Sequence, residues 1–136
     1  INDASIYNEN YKEKFDKILL DVPCLGIGVI RRKPDIKWQR KQEDVYEISK
    51  LQYKILETCS KYLKPGGELV YSTCSILKKE NEDVILKFLE NNKDFEIKKL
   101  DSNKWNEYIK EEKYFSIKPD KKHDGFFICK LHKNNI

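Results

Sequence analysis

The sequence lacks the features that mark several special classes of protein. Its 136 residues include no methionine, only five glycines and only four prolines, too few of the latter two for a collagen-like or low-complexity chain. No apolar run approaches the roughly 20 residues of a membrane helix, and no basic-then-apolar leader opens the chain. We therefore expect one soluble, cytoplasmic domain, or a piece of one from a longer protein.

Charge and cysteine content limit the partners and metal sites that the sequence predicts. The 27 basic residues barely exceed the 23 acidic ones, so net charge alone does not predict a polyanion partner. None of the four cysteines belongs to a C-x-x-C pair, and their spacing matches no common zinc pattern, so we expect no metal. Free thiols would fit the reducing cytosol. The cysteines are Cys24, Cys59, Cys74 and Cys129.

Hydrophobic periodicity predicts alternating strands and helices. Short apolar runs predict strands at 18–21, 68–73, 95–100 and 125–133, and three-to-four spacing predicts helices over 45–63 and from residue 80. Lys-Pro-Gly-Gly at 64–67 should end the first helix, and 101–122 has no clear period. The order predicts the second half of a doubly wound α/β sheet, whose functional residues lie just past the carboxyl ends of the strands.

Two cysteines follow predicted strands. Cys24 lies in the Asp-Val-Pro-Cys segment that begins with Asp21, and Cys74 ends a Ser-Thr-Cys segment. Adjacent parallel strands lie about 5 Å apart, so both thiols and the carboxylate would converge if the two strands are neighbours. The alternative is that both cysteines are inert core residues, the usual state of a free cysteine.

Several motifs together carry a family resemblance. They are Asp-Val-Pro-Cys at 21–24, Gly-Val-Ile-Arg-Arg-Lys-Pro-Asp-Ile-Lys-Trp at 28–38, Leu-Lys-Pro-Gly-Gly at 63–67, Tyr-Ser-Thr-Cys-Ser at 71–75 and Asp-Gly-Phe-Phe at 124–127. The chain resembles the carboxyl-terminal part of Sun/RsmB-type RNA (cytosine-5)-methyltransferases. The resemblance implies a class I (Rossmann-like) fold and an S-adenosylmethionine-dependent enzyme that modifies a cytosine in ribosomal RNA.

The resemblance also implies a role for each cysteine. Carbon 5 of cytosine is too electron-poor to attack a methyl sulfonium, and a thiolate that adds to carbon 6 removes this difficulty. Cys74 of the Thr-Cys motif would be that nucleophile, and Cys24 of the Pro-Cys motif would help to resolve the covalent adduct. Related DNA enzymes attack with the Pro-Cys cysteine, so the reversed assignment is the alternative.

Two aspartates are candidate pocket residues by the same resemblance. Asp21 would line the pocket shared by the cofactor and the target base, although it could simply accept hydrogen bonds from loop amides. Asp3, 18 residues earlier, matches the position where the family binds the cofactor's adenine amine. An exposed turn aspartate is the alternative there.

A basic segment follows the first cysteine loop. Residues 31–41 hold six basic side chains and one acid. Arginine suits phosphate through its forked donors, and a tryptophan offers a stacking surface, so we expect RNA contacts here rather than a solvated face alone. The residues expected to bind RNA are Arg31, Arg32, Lys37 and Trp38.

The chain also departs from the family pattern. Leu25 stands where the family commonly has serine, and the glycine-rich cofactor loop is not present, so residues 1–136 would form the carboxyl-terminal half of one methyltransferase domain, inactive alone. A non-catalytic RNA-binding module of the same fold is the alternative. A cysteine hydrolase using His123 or His132 fits poorly, because neither histidine follows a recognisable strand end.

Overall fold

A computed structural model describes residues 1–25, 42–100 and 102–135. Short 3-10 turns lie at Glu9–Tyr11, Lys78–Glu80 and Asn106–Tyr108. The helices are α1 (Gln42–Ser60) and α2 (Glu82–Asn91). The strands are β1 (Phe15–Asp21), β2 (Leu63–Thr73), β3 (Phe95–Ile97), β4 (Ile109–Lys110), β5 (Tyr114–Ile117) and β6 (Phe126–Lys133).

The strands form one mixed sheet in the order β1-β2-β6-β5-β4, with β3 also paired to β6. β1 and β2 are parallel, and α1 lies in the connection between them. β6 pairs antiparallel with β2, β3 and β5. This is the α/β arrangement that the sequence predicts, and the parallel pair places the ends of β1 and β2 at one edge. Within the described residues, no helix is long and apolar enough to cross a membrane.

The core lies between the two helices and the central strands. α1 buries Ile55, Leu56 and Cys59 on one face, as its three-to-four spacing predicts. These side chains belong to one cluster with residues of β2, α2 and β6, namely Leu69, Tyr71, Ile85, Phe88, Phe127 and Leu131. The rings of Phe88 and Phe95 pack edge to face with their centroids 5.0 Å apart, and this contact joins α2 to β3.

The boundary between α1 and β2 differs from the prediction. α1 ends at Ser60 rather than Leu63, and Leu63 already pairs with Phe15 of β1. The Lys-Pro-Gly-Gly segment lies inside β2, where the register with β1 shifts between Phe15 and Lys17. Gly66 takes a φ of 83°, which glycine adopts without the strain of a side chain. The segment therefore forms an irregularity in a strand rather than a separate turn.

β1 is less buried than the prediction of a buried strand implied. Leu20 is buried, but Leu19 is 72% exposed. The reason is that β1 is the end strand of the described sheet and pairs there with β2. Its last residue nevertheless lies beside the end of β2, which is what the candidate site requires.

Candidate active site at the carboxyl ends of β1 and β2

Asp21 is held at the edge where β1 and β2 end. It lies opposite Ser72 in the parallel register. The Ser72 hydroxyl donates to Asp21 Oδ1 at 3.2 Å and lies 3.3 Å from the Leu20 carbonyl oxygen. The Val22 amide donates to the Ser72 carbonyl at 3.1 Å, which continues the pairing beyond the strand. Asp21 is exposed, so its carboxylate is accessible from solvent.

Cys24 and Cys74 meet just past these strand ends. The structure joins the two sulfurs in a disulfide, with the Cα atoms 6.5 Å apart. Both residues are half-buried. The predicted convergence of the two cysteines is therefore confirmed, whereas the expectation of four free thiols is wrong for this pair because the two loops bring the sulfurs into direct contact. Cys59 and Cys129 are free and buried.

A buried carboxylate lies behind the two cysteine loops. Glu80, at the end of a 3-10 turn, is fully buried. Its Oε1 accepts from the Leu25 amide at 3.1 Å and from Gln52 Nε2 at 3.0 Å, and its Oε2 accepts from the Ser75 hydroxyl. Gln52 Nε2 also donates to the Pro23 carbonyl at 2.8 Å. Glu80 thus contacts the residues that follow both cysteines.

A second polar cluster fixes the backbone around Cys74. The buried Thr73 hydroxyl donates to Asn81 Oδ1 and accepts from the Ser75 amide at 3.2 Å. Asn81 Nδ2 donates to the Ser75 carbonyl at 2.9 Å. The residues on both sides of Cys74 are therefore tied to the start of α2.

Burial raises the pKa of three groups in the core. The Tyr71 hydroxyl donates to the Glu80 backbone carbonyl at 2.6 Å, and burial is the main cause that raises the pKa of Tyr71, so this hydroxyl remains a donor. Burial also raises the pKa of Cys59, and it raises the pKa of Cys129 to about 12. These two thiols are unsuited to nucleophilic attack, because the thiolate is the reactive form.

Asp3 lies in the segment that precedes the first 3-10 turn. Its Oδ1 accepts from the Ser5 amide at 2.8 Å and the Ser5 hydroxyl at 2.7 Å, and the hydroxyl bond is the main cause that lowers the pKa of Asp3. The next residue contacts the end of α1, because the Ala4 carbonyl oxygen accepts a hydrogen bond from the Cys59 thiol at 3.7 Å. Among the described residues, no hydrogen bond links Asp3 to the cysteine loops. Its predicted role in cofactor binding stays a prediction.

The predicted RNA-binding residues Arg31, Arg32, Lys37 and Trp38 lie outside the described residues. Their assignment stays a prediction from the sequence. The described part of the chain contains no cluster of three or more residues able to hold a metal ion.

The histidines lie away from the cysteine pair. His123 Nδ1 lies 3.2 Å from Asp120, and His132 pairs in register with Glu68, four residues before Ser72 on β2. Among the hydrogen bonds of the described residues, neither ring reaches a cysteine. This arrangement gives no support to a cysteine hydrolase, which requires its base within hydrogen-bond distance of the thiol.

Sequence reasoning missed three residues behind the site. The local pattern places Glu80 with its neighbours in the first turn of a helix, but it lies in a 3-10 turn and points inward. Gln52 occupies a buried position on the predicted helix, and Asn81 precedes α2. A glutamine within the apolar stripe of α1 is the one visible signal, because a buried polar side chain requires a partner.

Comparisons with known proteins give consistent matches to one family. The family model described as "16S rRNA methyltransferase RsmB/F" matches residues 1–132. The "Ribosomal RNA small subunit methyltransferase B" of Shewanella oneidensis is 47% identical over 122 residues, which cover 89% of this chain and 28% of that protein. The "Probable ribosomal RNA small subunit methyltransferase B" of Bacillus subtilis is 38% identical over 136 residues, covering 96% of this chain and 30% of that protein. The chain thus spans less than a third of these relatives.

Solved structures show the same fold. The crystal structure of PH0851 superposes with a TM-score of 0.81 at 36% identity and covers 90% of this chain and 27% of that one. The crystal structure of NSun6 from Pyrococcus horikoshii with SFG gives a TM-score of 0.70 at 32% identity, covering 87% of this chain and 30% of that one. The predicted fold class, the second half of a Rossmann-like methyltransferase fold, is confirmed.

Proposed function

Because the chain belongs to the RsmB/F family of 16S rRNA methyltransferases, we propose that its protein transfers a methyl group from S-adenosylmethionine to carbon 5 of a cytosine in ribosomal RNA. The observation that carries the proposal is the meeting of Cys24 and Cys74 beside Asp21, at the ends of two parallel strands. The names of the curated relatives support ribosomal RNA as the substrate. The SFG in one structural relative, an analogue of S-adenosylmethionine, supports the cofactor.

Two carboxylates fit part of a cofactor site. Asp21 and Asp3 are exposed, and each uses Oδ1 for its bonds to a neighbouring serine. Within the described residues, Oδ2 of each accepts no hydrogen bond, so each carboxylate has an oxygen available for a ligand's amine or hydroxyl. When bound, S-adenosylmethionine supplies the methyl group that carbon 5 accepts. We assign Asp3 to the adenine amine and Asp21 to the pocket between cofactor and target base.

Cys74 is the proposed nucleophile. Its thiolate forms a bond from Sγ to carbon 6 of cytosine, and the displaced electron pair makes carbon 5 nucleophilic. After carbon 5 has gained the methyl group, it loses its proton, and the electrons of that bond expel the Cys74 thiolate from carbon 6. The half-buried position of Cys74, between two residues tied to Asn81, suits a nucleophile that has to be both accessible and fixed.

Cys24 is the proposed release group. It lies against Cys74, on the other loop of the same edge, and therefore lies close to any adduct that Cys74 forms. In this position its thiolate accepts the carbon 5 proton, and the electrons of that carbon–hydrogen bond then expel the Cys74 thiolate from carbon 6. The disulfide joins the two thiols in their oxidised form, so turnover requires the reduced pair.

RNA is the proposed partner, and the basic segment is its proposed binding surface. Arg31, Arg32 and Lys37 would bind phosphates, and Trp38 would stack on a base. The segment begins seven residues after Cys24 in the sequence.

The test is methyl transfer from labelled S-adenosylmethionine to 16S rRNA, using the full-length protein under reducing conditions. We expect one labelled product nucleoside, 5-methylcytidine. A protein that binds RNA without transferring label would contradict the enzyme and favour the non-catalytic module. Label at another atom of the base would contradict the covalent mechanism.

A further inference from the structure

We propose that Glu80 is a positioning residue that sets the distance between the two cysteine loops. The loops come from different parts of the chain, and the Glu80 side chain bonds to both. This inference rests on the proposed function for the use made of the cysteines, whereas the geometric claim stands on the hydrogen bonds alone.

Each carboxylate oxygen of Glu80 accepts a hydrogen bond from a different cysteine loop. Oε1 accepts the amide of Leu25, the residue after Cys24. Oε2 accepts the hydroxyl of Ser75, the residue after Cys74. One rigid, planar group therefore connects the immediate neighbours of both sulfurs. An amide could not replace it fully, because one of its two ends donates instead of accepting.

The surroundings of Glu80 keep it in place. Its side chain is fully buried, and a buried carboxylate is costly unless donors satisfy its oxygens. Gln52 Nε2 donates to Oε1 and also to the Pro23 carbonyl, which adds a second tie to the Cys24 loop. The Tyr71 hydroxyl donates to the Glu80 backbone carbonyl and fixes the 3-10 turn to β2.

The spacing that Glu80 sets bears on release more than on attack. Attack requires Cys74 and the target base, whereas release requires Cys24 to reach an adduct that Cys74 holds. Reacting groups have to be placed within fractions of an ångström, and a misplacement of about 1 Å can cost about 100-fold in rate. A looser connection between the loops should therefore slow release and leave adduct formation less affected.

The distance can be measured without any enzyme activity. In a glutathione buffer, the thiols of Cys24 and Cys74 and one glutathione disulfide give the protein disulfide and two glutathione thiols. The equilibrium constant reports the effective concentration of one cysteine at the other. The Cα separation of 6.5 Å lies near the upper end of the range for disulfides, so this constant should respond to small displacements.

We would measure this constant in the full-length protein and in Glu80→Gln, with Glu90→Gln as the matched control. Glu90 is a residue of α2 outside the buried core and receives the same chemical change. We expect the constant to fall about tenfold or more in Glu80→Gln, as for the loss of a charged hydrogen bond, and to stay unchanged in Glu90→Gln. An unchanged constant in a folded Glu80→Gln would overturn the proposal.

Ser75→Ala provides a second variant should Glu80→Gln fail to fold. It removes the bond to Glu80 Oε2 and the acceptor of the Leu77 amide, and it leaves the bond between Glu80 and Leu25 in place. We expect a smaller decrease of the constant than in Glu80→Gln, and no decrease would overturn the proposal. In RNA assays, a folded Glu80→Gln should accumulate the covalent protein–RNA species, whereas an equal decrease of adduct and product in the folded variant would overturn the proposal. If the constant falls but the unmodified protein transfers no methyl group, the positioning role holds and the proposed function fails.

Discussion

The Thr73 hydroxyl offers a quantitative test of the network around Cys74. Thr73→Val keeps the shape of this fully buried side chain and removes the hydroxyl. Asn81 Oδ1 then loses its donor, and the Ser75 amide loses its acceptor. Each of these two buried groups left without a partner costs about 1–3 kcal/mol, so we expect the free energy of unfolding to fall by about 2–6 kcal/mol.

Thr73→Ser is the matched control, because it keeps the hydroxyl and removes one buried methyl group, a loss of about 1 kcal/mol. Urea unfolding under reducing conditions would measure both variants, since an intact Cys24–Cys74 disulfide would add its own contribution. The expected order of stability is the unmodified protein, then Thr73→Ser, then Thr73→Val. A Thr73→Val protein as stable as Thr73→Ser would refute the assigned role of these hydrogen bonds.

Three further predictions concern the basic segment, a buried thiol and the disulfide. Replacing Arg31 and Arg32 with alanine should reduce the slope of RNA affinity against salt concentration by about one unit for each phosphate that is no longer bound. An unchanged slope would show that neither arginine binds phosphate. The raised pKa of Cys129, about 12, means that its contribution to stability is fully present below about pH 9, the ordinary value, and is lost as the pH rises towards 12. Alkylation of Cys129 in the folded protein at pH 9 would contradict this burial. The disulfide closes a separation of 50 residues, so adding a reductant should lower the free energy of unfolding by about 4 kcal/mol, and Cys24→Ser should abolish that difference.

The sequence predicts the main elements of the fold because their signals are local. The apolar run before Asp21 and the three-to-four spacing over α1 identify a strand and a helix. A strand, a helix and a second strand then favour a parallel pair, and that pair brings Cys24 and Cys74 together.

The features that the sequence predicts wrongly depend on contacts with residues far away along the chain. Glu80 looks like a helix-start acid among its neighbours, and its burial depends on the Leu25 amide, 55 residues earlier. The Lys-Pro-Gly-Gly segment has the composition of a turn, but pairing of Leu63 with Phe15 extends β2 across it. Neither long-range interaction has a signal in the local pattern of residues.

The roles of the two cysteines provide the most direct test of the account. The full-length protein would be incubated with 16S rRNA and S-adenosylmethionine, and covalent protein–RNA species would be resolved on a denaturing gel. We predict that Cys74→Ala forms no such species and no product, because the first step is lost. Cys24→Ala should transfer the methyl group and then retain the RNA as a slower band, and the double variant should show no band. A band in Cys74→Ala but not in Cys24→Ala would reverse the two roles, and normal turnover in both single variants would contradict the mechanism.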